Sequence, residues 1–203
     1  MNDHPDRPVP MHLQQKLDVL REEPSPAHLA QRLAVRLDQD ELDRCVVAVL
    51  PDYRRCLAAG GTIFLAGCGG FAAHAQHMAA EFVVRYRRYR APIRAIALGC
   101  NPAVVTAAVN DLGPEYALAR EFTALARPGD LLVVYSTSGS SPMLVELALT
   151  ARRHGITIVA WCPESSLLAA LAAGVVVNTS DQERVLACEH VLAGRLEEEC
   201  DAT

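Results

Sequence analysis

Excess positive charge, long apolar runs and paired-cysteine motifs are all missing from this sequence. Lys and Arg total 19 against 24 Asp and Glu, so the net charge is −5 and no basic surface for nucleic acid is expected. No apolar run approaches the roughly 20 residues that a membrane helix needs. The N-terminal residues lack the charged-then-apolar pattern of a signal peptide. These absences predict a protein that binds neither nucleic acid nor a membrane.

The 7 cysteines are scattered, odd in number and without a CxxC motif. We expect free thiols in a reducing cytosol, and therefore a cytoplasmic protein, rather than a disulfide framework. Because free cysteine packs as a small hydrophobe, most of these side chains are expected in the core. Hydrophobic residues make up 51% of the 203 positions, which is enough for one full core.

Helices are expected before the first strand. Helical spacing of apolar residues predicts them over Met11–Glu23 and Ala27–Leu37, and a third from Asp40 toward Ala59. Pro51 lies inside the third helix and is expected to kink or split it. The sequence does not decide whether these helices cover a sheet or form a subunit interface.

The remaining chain alternates between apolar strands and helices. We expect an N-terminal extension over residues 1–24, partly disordered or helical, and one domain over residues 25–203. Continuous apolar strands separated by helices indicate an α/β fold, a three-layer αβα sandwich with about five parallel strands. The predicted strands are Thr62–Ala66, Ile93–Leu98, Asp130–Tyr135, Ile156–Trp161 and Val175–Asn178. The predicted helices after the first strand begin near Ala72 and then cover Asn101–Val109, Glu115–Ala126, Met143–His154, Ser165–Ala173 and Asp181–Glu199.

A glycine turn links the first strand to its helix. Gly69 and Gly70 allow the backbone to turn sharply and to approach a ligand closely. On the following helix, His77 and Glu81 are four residues apart and share a face. An imidazole and a carboxylate placed in this way can share a metal ion or divide a proton transfer. The alternative is an ordinary exposed or salt-bridged pair.

A serine-rich loop, Ser136-Thr-Ser-Gly-Ser-Ser141, follows another buried strand. Its hydroxyls and backbone N–H groups, at a helix N-terminus, favour an anion. No lysine accompanies them, which argues against a nucleotide P-loop and favours a sugar phosphate. The alternative is a loop that only caps the helix. On the last helix, Gln182 and His190 are eight residues apart and also share a face.

Taken together, these motifs resemble the sugar isomerase (SIS) domain of phosphoheptose isomerases, the sedoheptulose 7-phosphate isomerases. The resemblance extends from about Ser25 to Glu199. The motifs that carry it are Gly67-x-Gly69-Gly70, His77-x-x-x-Glu81, Arg85-Tyr86-Arg87, Asn110-Asp111, Ser136-Thr-Ser-Gly-x-Ser141, and Gln182-Glu183 with His190. The serine loop alone indicates a sugar-phosphate SIS domain, whereas the His–Glu–Gln–His set in this order is more specific.

The resemblance implies a flavodoxin-like sandwich, a homotetramer with active sites at subunit interfaces, and ketose–aldose isomerisation of a sugar phosphate through an enediol. It implies one zinc ion per active site, held by His77, Glu81, Gln182 and His190, with Glu81 and His190 as the acid/base pair. The substrate contacts that it implies are Gly69, Gly70, Arg85, Asn110, Asp111, Ser136, Thr137, Ser138, Ser141 and Gln182.

Some positions depart from the family pattern. The glycine turn, usually Gly-Asn-Gly-Gly-Ser, here contains Cys68 and ends in Phe71, which removes a hydroxyl and is expected to add bulk at the mouth of the site. Ser180-Asp181 stands where Arg-Ile is usual, and the segment between Trp161 and Val175 lacks the usual Gly-Gly turn. These departures bear on the identity of the sugar more than on the class of reaction.

Two further classes of protein share this kind of domain. One is a non-catalytic SIS module that binds a sugar phosphate or a replication-initiator protein; Glu81 and His190 favour the enzyme over it. The other is a transcription regulator that senses sugar phosphates, but the N-terminal segment has no basic helical stripe.

Overall fold

Strands and helices alternate along the described part of the chain, residues 39–200 except 173, 175, 179 and 180, in a computed structural model. The strands are β1 (Ile63–Gly67), β2 (Ala95–Ala97), β3 (Leu131–Tyr135), β4 (Thr157–Cys162) and β5 (Val176–Asn178). The helices are α1 (Gln39–Ala58), α2 (Gly70–Val83), α3 (Pro102–Asp111), α4 (Ala117–Leu125), α5 (Pro142–Arg153), α6 (Leu167–Leu171) and α7 (Gln182–Cys200), with a 3-10 turn at Pro114–Tyr116. The predicted extension over residues 1–24 and the predicted helices Met11–Glu23 and Ala27–Leu37 lie outside the described residues.

The strands form one parallel sheet in the order β2-β1-β3-β4-β5. Every residue of β1 and β3 is buried, which explains their continuous apolar sequence. Alternate residues point to opposite faces: Leu65 and Val133 belong to one core cluster, and Phe64 and Leu132 to the other. Helices α1, α2 and α7 cover the first face, and α4, α5 and α6 cover the second. The predicted three-layer sandwich is confirmed.

Helix α1 is continuous through Pro51, so proline does not split it into two helices. Pro51 is exposed, whereas its neighbours Leu50 and Tyr53 are buried in the core beneath the helix. Packing of this buried face compensates for the hydrogen bond that proline removes. Helix α1 therefore covers the sheet.

Helix α3 ends later than expected. Asn110 and Asp111 form its last residues, beyond the predicted end at Val109. The turn begins at Leu112, and Gly113, with a φ of 113°, provides the conformation that it needs.

The six described cysteines are all free thiols, as predicted. Cys56, Cys162 and Cys188 are buried, but Cys68 and Cys100 are exposed, so fewer lie in the core than expected. None of the helices in residues 39–200 that the structure describes is long and apolar enough to cross a membrane.

Candidate functional site

A cavity of about 290 Å³ opens where the sheet order reverses, beyond the ends of β1 and β3. Gly67 pairs with Tyr135 in the sheet register, so the two loops that follow start side by side. Ligands of open parallel sheets bind at this position. The cavity is lined by Cys68, Gly70, Phe71, Tyr135, Ser136, Thr137, Ser138, Ser141, Leu144 and Gln182.

The glycine turn brings α7 against the start of α2. Gly69 has a φ of 59°, in the left-handed region that glycine adopts without strain. At Gly70, a Cβ atom would lie 2.8 Å from the Gln182 side-chain Oε1. The missing side chain at Gly70 therefore lets the Gln182 amide reach the cavity wall.

The serine loop lines the cavity and is held by hydrogen bonds between its own residues. Ser136 Oγ accepts a hydrogen bond of 2.9 Å from the Gly139 N–H, and Ser138 Oγ accepts one of 3.3 Å from the Ser140 N–H. Ser141 occupies the N-cap position of α5, but its hydroxyl makes no capping bond. That hydroxyl lies 3.6 Å from Cys68 Sγ. Ser141 therefore does not cap α5 through its side chain, and it lines the cavity instead.

A second polar group lies on the same two helices. His77 Nε2 on α2 is 2.9 Å from His190 Nε2 on α7. Glu81 Oε1, one turn after His77, is 3.8 Å from His77 Nε2. Side chains of His77 and Glu81 are 46% and 21% exposed, so solvent or a ligand can reach both.

The pKa of His190 is lowered from its ordinary value, first by burial and then by the neighbouring His77 ring. Glu81 acts in the opposite direction but does not outweigh them. The neutral imidazole is therefore favoured, and this form can accept a proton or bind a metal ion.

The segment after α2 covers this histidine pair. The Tyr86 ring stacks on His190, with ring centroids 5.0 Å apart and planes at 21°. The Arg87 guanidinium lies 4.8 Å from the centre of the same Tyr86 ring. Tyr86 thus forms a wall of the site that sequence reasoning did not assign.

The predicted zinc ligands are only partly assembled. His77, His190 and Glu81 lie close together, whereas the Gln182 amide lies against Gly70, at the other end of α2. Among the described residues, no group of three or more His, Cys, Asp or Glu side chains is arranged to hold a metal ion. Paired imidazoles with a nearby carboxylate are nevertheless donors that suit zinc.

Several predicted contacts lie elsewhere. Arg85, Asn110 and Asp111 are exposed and do not line the cavity. Asn110 Nδ2 donates a 2.7 Å hydrogen bond to Asp111 Oδ1, so the two side chains hold each other at the end of α3. Gly69 shapes the turn without lining the cavity.

Phe71 does not protrude at the mouth as the sequence suggested. Its ring is 4% exposed and stacks on Tyr135, with centroids 5.7 Å apart. A large apolar side chain gains more from burial against this ring than from exposure at the rim. Phe71 therefore forms the inner wall of the cavity.

Comparison with known proteins identifies relatives of this arrangement. The SIS domain family matches residues 44–162. A phosphoheptose isomerase from Nitratidesulfovibrio vulgaris is 38% identical over 166 residues, which cover 81% of this chain and 79% of that protein. The structure of a phosphoheptose isomerase from Neisseria gonorrhoeae matches with a TM-score of 0.63 and 25% identity. The match covers 94% of this chain and 100% of that one. A phosphoheptose isomerase from Francisella tularensis, at 22% identity and a TM-score of 0.66 over 95% of this chain and 100% of that one, supports the fold alone.

Proposed function

We propose that this chain, which belongs to the phosphoheptose isomerase family of SIS-domain proteins, converts sedoheptulose 7-phosphate, or a closely related ketose phosphate, to an aldoheptose 7-phosphate. The observation that carries this proposal is the pairing of a hydroxyl-lined cavity with two imidazoles and a carboxylate on the adjoining helices. The product would enter heptose biosynthesis.

The serine loop is the phosphate site in this proposal. Ser136, Thr137, Ser138 and Ser141 all line the cavity. Ser141 leaves the first N–H groups of α5 without a side-chain cap, and a phosphate at this end would meet both these donors and the helix dipole. Gly70 and Gln182 also line this cavity.

Isomerisation moves one proton between adjacent carbons and another between their oxygens. Glu81 removes the proton from the hydroxymethyl carbon beside the ketone, which gives the enediol, and returns it to the former carbonyl carbon. His190 passes the second proton between the two oxygens; its neutral imidazole offers both an acceptor and a donor. No atom is gained or lost, so these two groups balance the reaction.

One zinc ion per active site belongs to the same proposal, held by His77, Glu81, Gln182 and His190. When bound, it would supply a positive charge that stabilises the developing oxyanion. The two imidazoles that meet at 2.9 Å support this assignment, and binding requires the Gln182 amide to join them.

We further propose a cytoplasmic homotetramer with active sites at subunit interfaces. The exposed side chains of His77, Arg85 and Asp111 support this, because a metal ligand and substrate contacts at these positions need a further wall. A second subunit would supply it. Mass measurement by light scattering tests the assembly directly.

The test of the reaction is conversion of sedoheptulose 7-phosphate in D₂O, with and without added zinc. We expect turnover with deuterium incorporated next to the carbonyl, because the proton passes through an exchangeable group. Glu81→Gln should lower kcat by about 100-fold or more. The matched control is Glu115→Gln, which changes a carboxylate outside the cavity and should leave kcat within about twofold.

A folded, zinc-loaded protein without turnover would contradict this substrate. A folded protein that shows no turnover and binds neither zinc nor a sugar phosphate would contradict the proposal of an isomerase. The non-catalytic module then gains support if the protein still binds a replication initiator.

A further inference from the structure

A buried hydrogen-bond cluster, the Glu189 cluster, consists of Glu189, His74, Tyr135 and Tyr53. Glu189 is 0% exposed. Tyr135 donates to it at 2.7 Å, Tyr53 donates at 3.2 Å, and His74 Nε2 lies 2.6 Å from Glu189 Oε2. Tyr135 also lines the cavity, but its hydroxyl is bound to Glu189, and the proton transfers proposed above use none of these four side chains.

The direction of the hydrogen bonds follows from the environment. Burial, and then the charge of Glu189, raise the pKa of Tyr53 and Tyr135 well above the ordinary value. Both phenols therefore keep their protons and donate to the carboxylate. With both phenols donating, His74 Nε2–H completes a set of three donors around Glu189. The carboxylate is buried without being left unsatisfied.

Each of three cluster members lies next to a component of the site. Glu189 directly precedes His190 on α7, and His74 is one turn before His77 on α2. Tyr135 ends β3 immediately before Ser136 and the phosphate loop. Only Tyr53, on α1, has no such neighbour. The cluster thus joins the three elements that must be held together for the site to exist.

Packing around the cluster limits its freedom. The His74 ring meets the Tyr135 ring edge-on at 4.7 Å, and Phe71 stacks on the Tyr135 ring at 5.7 Å and meets the His74 ring edge-on at 6.0 Å. An apolar cluster of similar volume would avoid the desolvation cost of a buried carboxylate. Stability alone therefore does not account for the polar groups, whereas directed hydrogen bonds fix orientation.

We propose that the Glu189 cluster is a positioning device: it sets the separation of α2 and α7 at which His77 meets His190, and it holds the start of the phosphate loop. For catalysis this inference rests on the proposed isomerase function. The positioning itself concerns geometry, so it is testable without turnover.

Tyr135→Phe and Tyr53→Phe form a matched pair. Each removes one hydroxyl from the same carboxylate, and both rings are 0% exposed. We expect similar losses of melting temperature. For the isomerase we expect kcat to fall about tenfold or more in Tyr135→Phe but to stay within about twofold in Tyr53→Phe, because small displacements of reacting groups are costly.

A second measurement does not depend on activity. In protein labelled with ¹⁵N-histidine, we expect the His77 and His190 ring resonances to shift in Glu189→Gln and Tyr135→Phe but not in Tyr53→Phe. Glu189→Gln keeps the shape of the side chain but replaces one acceptor by a donor. If it fails to fold, the tyrosine pair still decides the question.

If kcat and the histidine resonances stay unchanged in both tyrosine variants, the proposal is overturned and the cluster is a packing element only. If the wild-type protein turns over no heptose phosphate, the proposed function fails, but the histidine resonances still test positioning. A shift confined to Glu189→Gln and Tyr135→Phe would support positioning in that case as well.

Discussion

The backbone N–H of Tyr86 donates a 2.6 Å hydrogen bond to Glu197 on α7. The same carboxylate accepts from the N–H groups of Arg87 and Arg88 at 2.9 and 3.2 Å, and Arg90 Nε lies 3.6 Å away. Arg90 in turn donates to the carbonyls that end α2. One carboxylate therefore holds the segment whose Tyr86 ring covers His190.

Glu197 should make the protein sensitive to acid. Burial alone raises its pKa, but the three backbone hydrogen bonds and the charge of Arg90 together lower it below the ordinary value. Because the pKa of Glu197 is lower in the folded than in the unfolded protein, its carboxylate stabilises the fold at pH values above the unfolded-state pKa of about 4.3. This stabilisation is lost as the pH falls through the folded-state pKa. Glu197→Gln should lower the free energy of unfolding at pH 7 by about 2–4 kcal/mol.

Urea unfolding at pH 7 and at pH 4 measures the free energy of unfolding and its dependence on pH. The difference in this free energy between wild type and Glu197→Gln should shrink at the lower pH. Glu198→Gln, an exposed neighbour on the same helix, should follow the wild type at both values. An undiminished difference at low pH would contradict the charge-based explanation.

Gly70→Ala should disturb the site more than the fold. Its Cβ would overlap with the end of the Gln182 side chain, which is exposed and can move. We expect a stability change below about 1 kcal/mol and a loss of kcat/KM of about tenfold. The double variant with Gln182→Ala should be no worse than Gln182→Ala alone. Additive losses would show that the two positions act independently.

Cys68 should make the cavity sensitive to alkylation. It is exposed, lines the cavity and has its Sγ 3.6 Å from the Ser141 hydroxyl. Alkylation by iodoacetamide should therefore abolish binding of a sugar phosphate. Bound substrate should protect the Cys68 thiol from this alkylation. Cys68→Ser should become resistant, whereas Cys100→Ser, which changes the other exposed cysteine described, should stay sensitive. Mass spectrometry identifies the modified thiol.

Ser138 and Ser140 allow a comparison within one loop. Both are exposed and their hydroxyls are 3.2 Å apart, but only Ser138 lines the cavity. Loss of one hydrogen bond to a charged phosphate costs about 1.5–3 kcal/mol. Ser138→Ala should therefore raise KM about tenfold or more with little change in kcat, while Ser140→Ala stays close to wild type. A larger increase in KM for Ser140→Ala than for Ser138→Ala would contradict a phosphate contact at Ser138.

The fold was accessible from sequence because its signals are local and consistent. Apolar runs of strand length alternate with amphipathic helices, and the glycine and serine turns mark the ends of β1 and β3. Helix spacing also placed His77 with Glu81 and Gln182 with His190. The meeting of His77 and His190 depends on how α2 packs on α7, which spacing within a single helix does not determine.

The errors have the same origin. Phe71 was expected at the mouth because it ends the glycine turn, where the family usually has serine, but the aromatic ring of Tyr135 provides a buried site for it. The Glu189 cluster joins four elements that are distant in sequence, so no short pattern reveals it. The nearest signal was the presence of Glu189 beside His190 and of His74 one turn before His77.

Helix α7 is the last described element, and it carries Gln182, Glu189, His190 and Glu197 along one side. These side chains meet the cavity, the buried cluster, the histidine pair and the Tyr86 segment. During synthesis, every other component of the site is therefore made before the helix that connects them. A nascent chain has no complete site until α7 has left the ribosome, and a premature stop anywhere before Gln182 removes a member from each of these contacts.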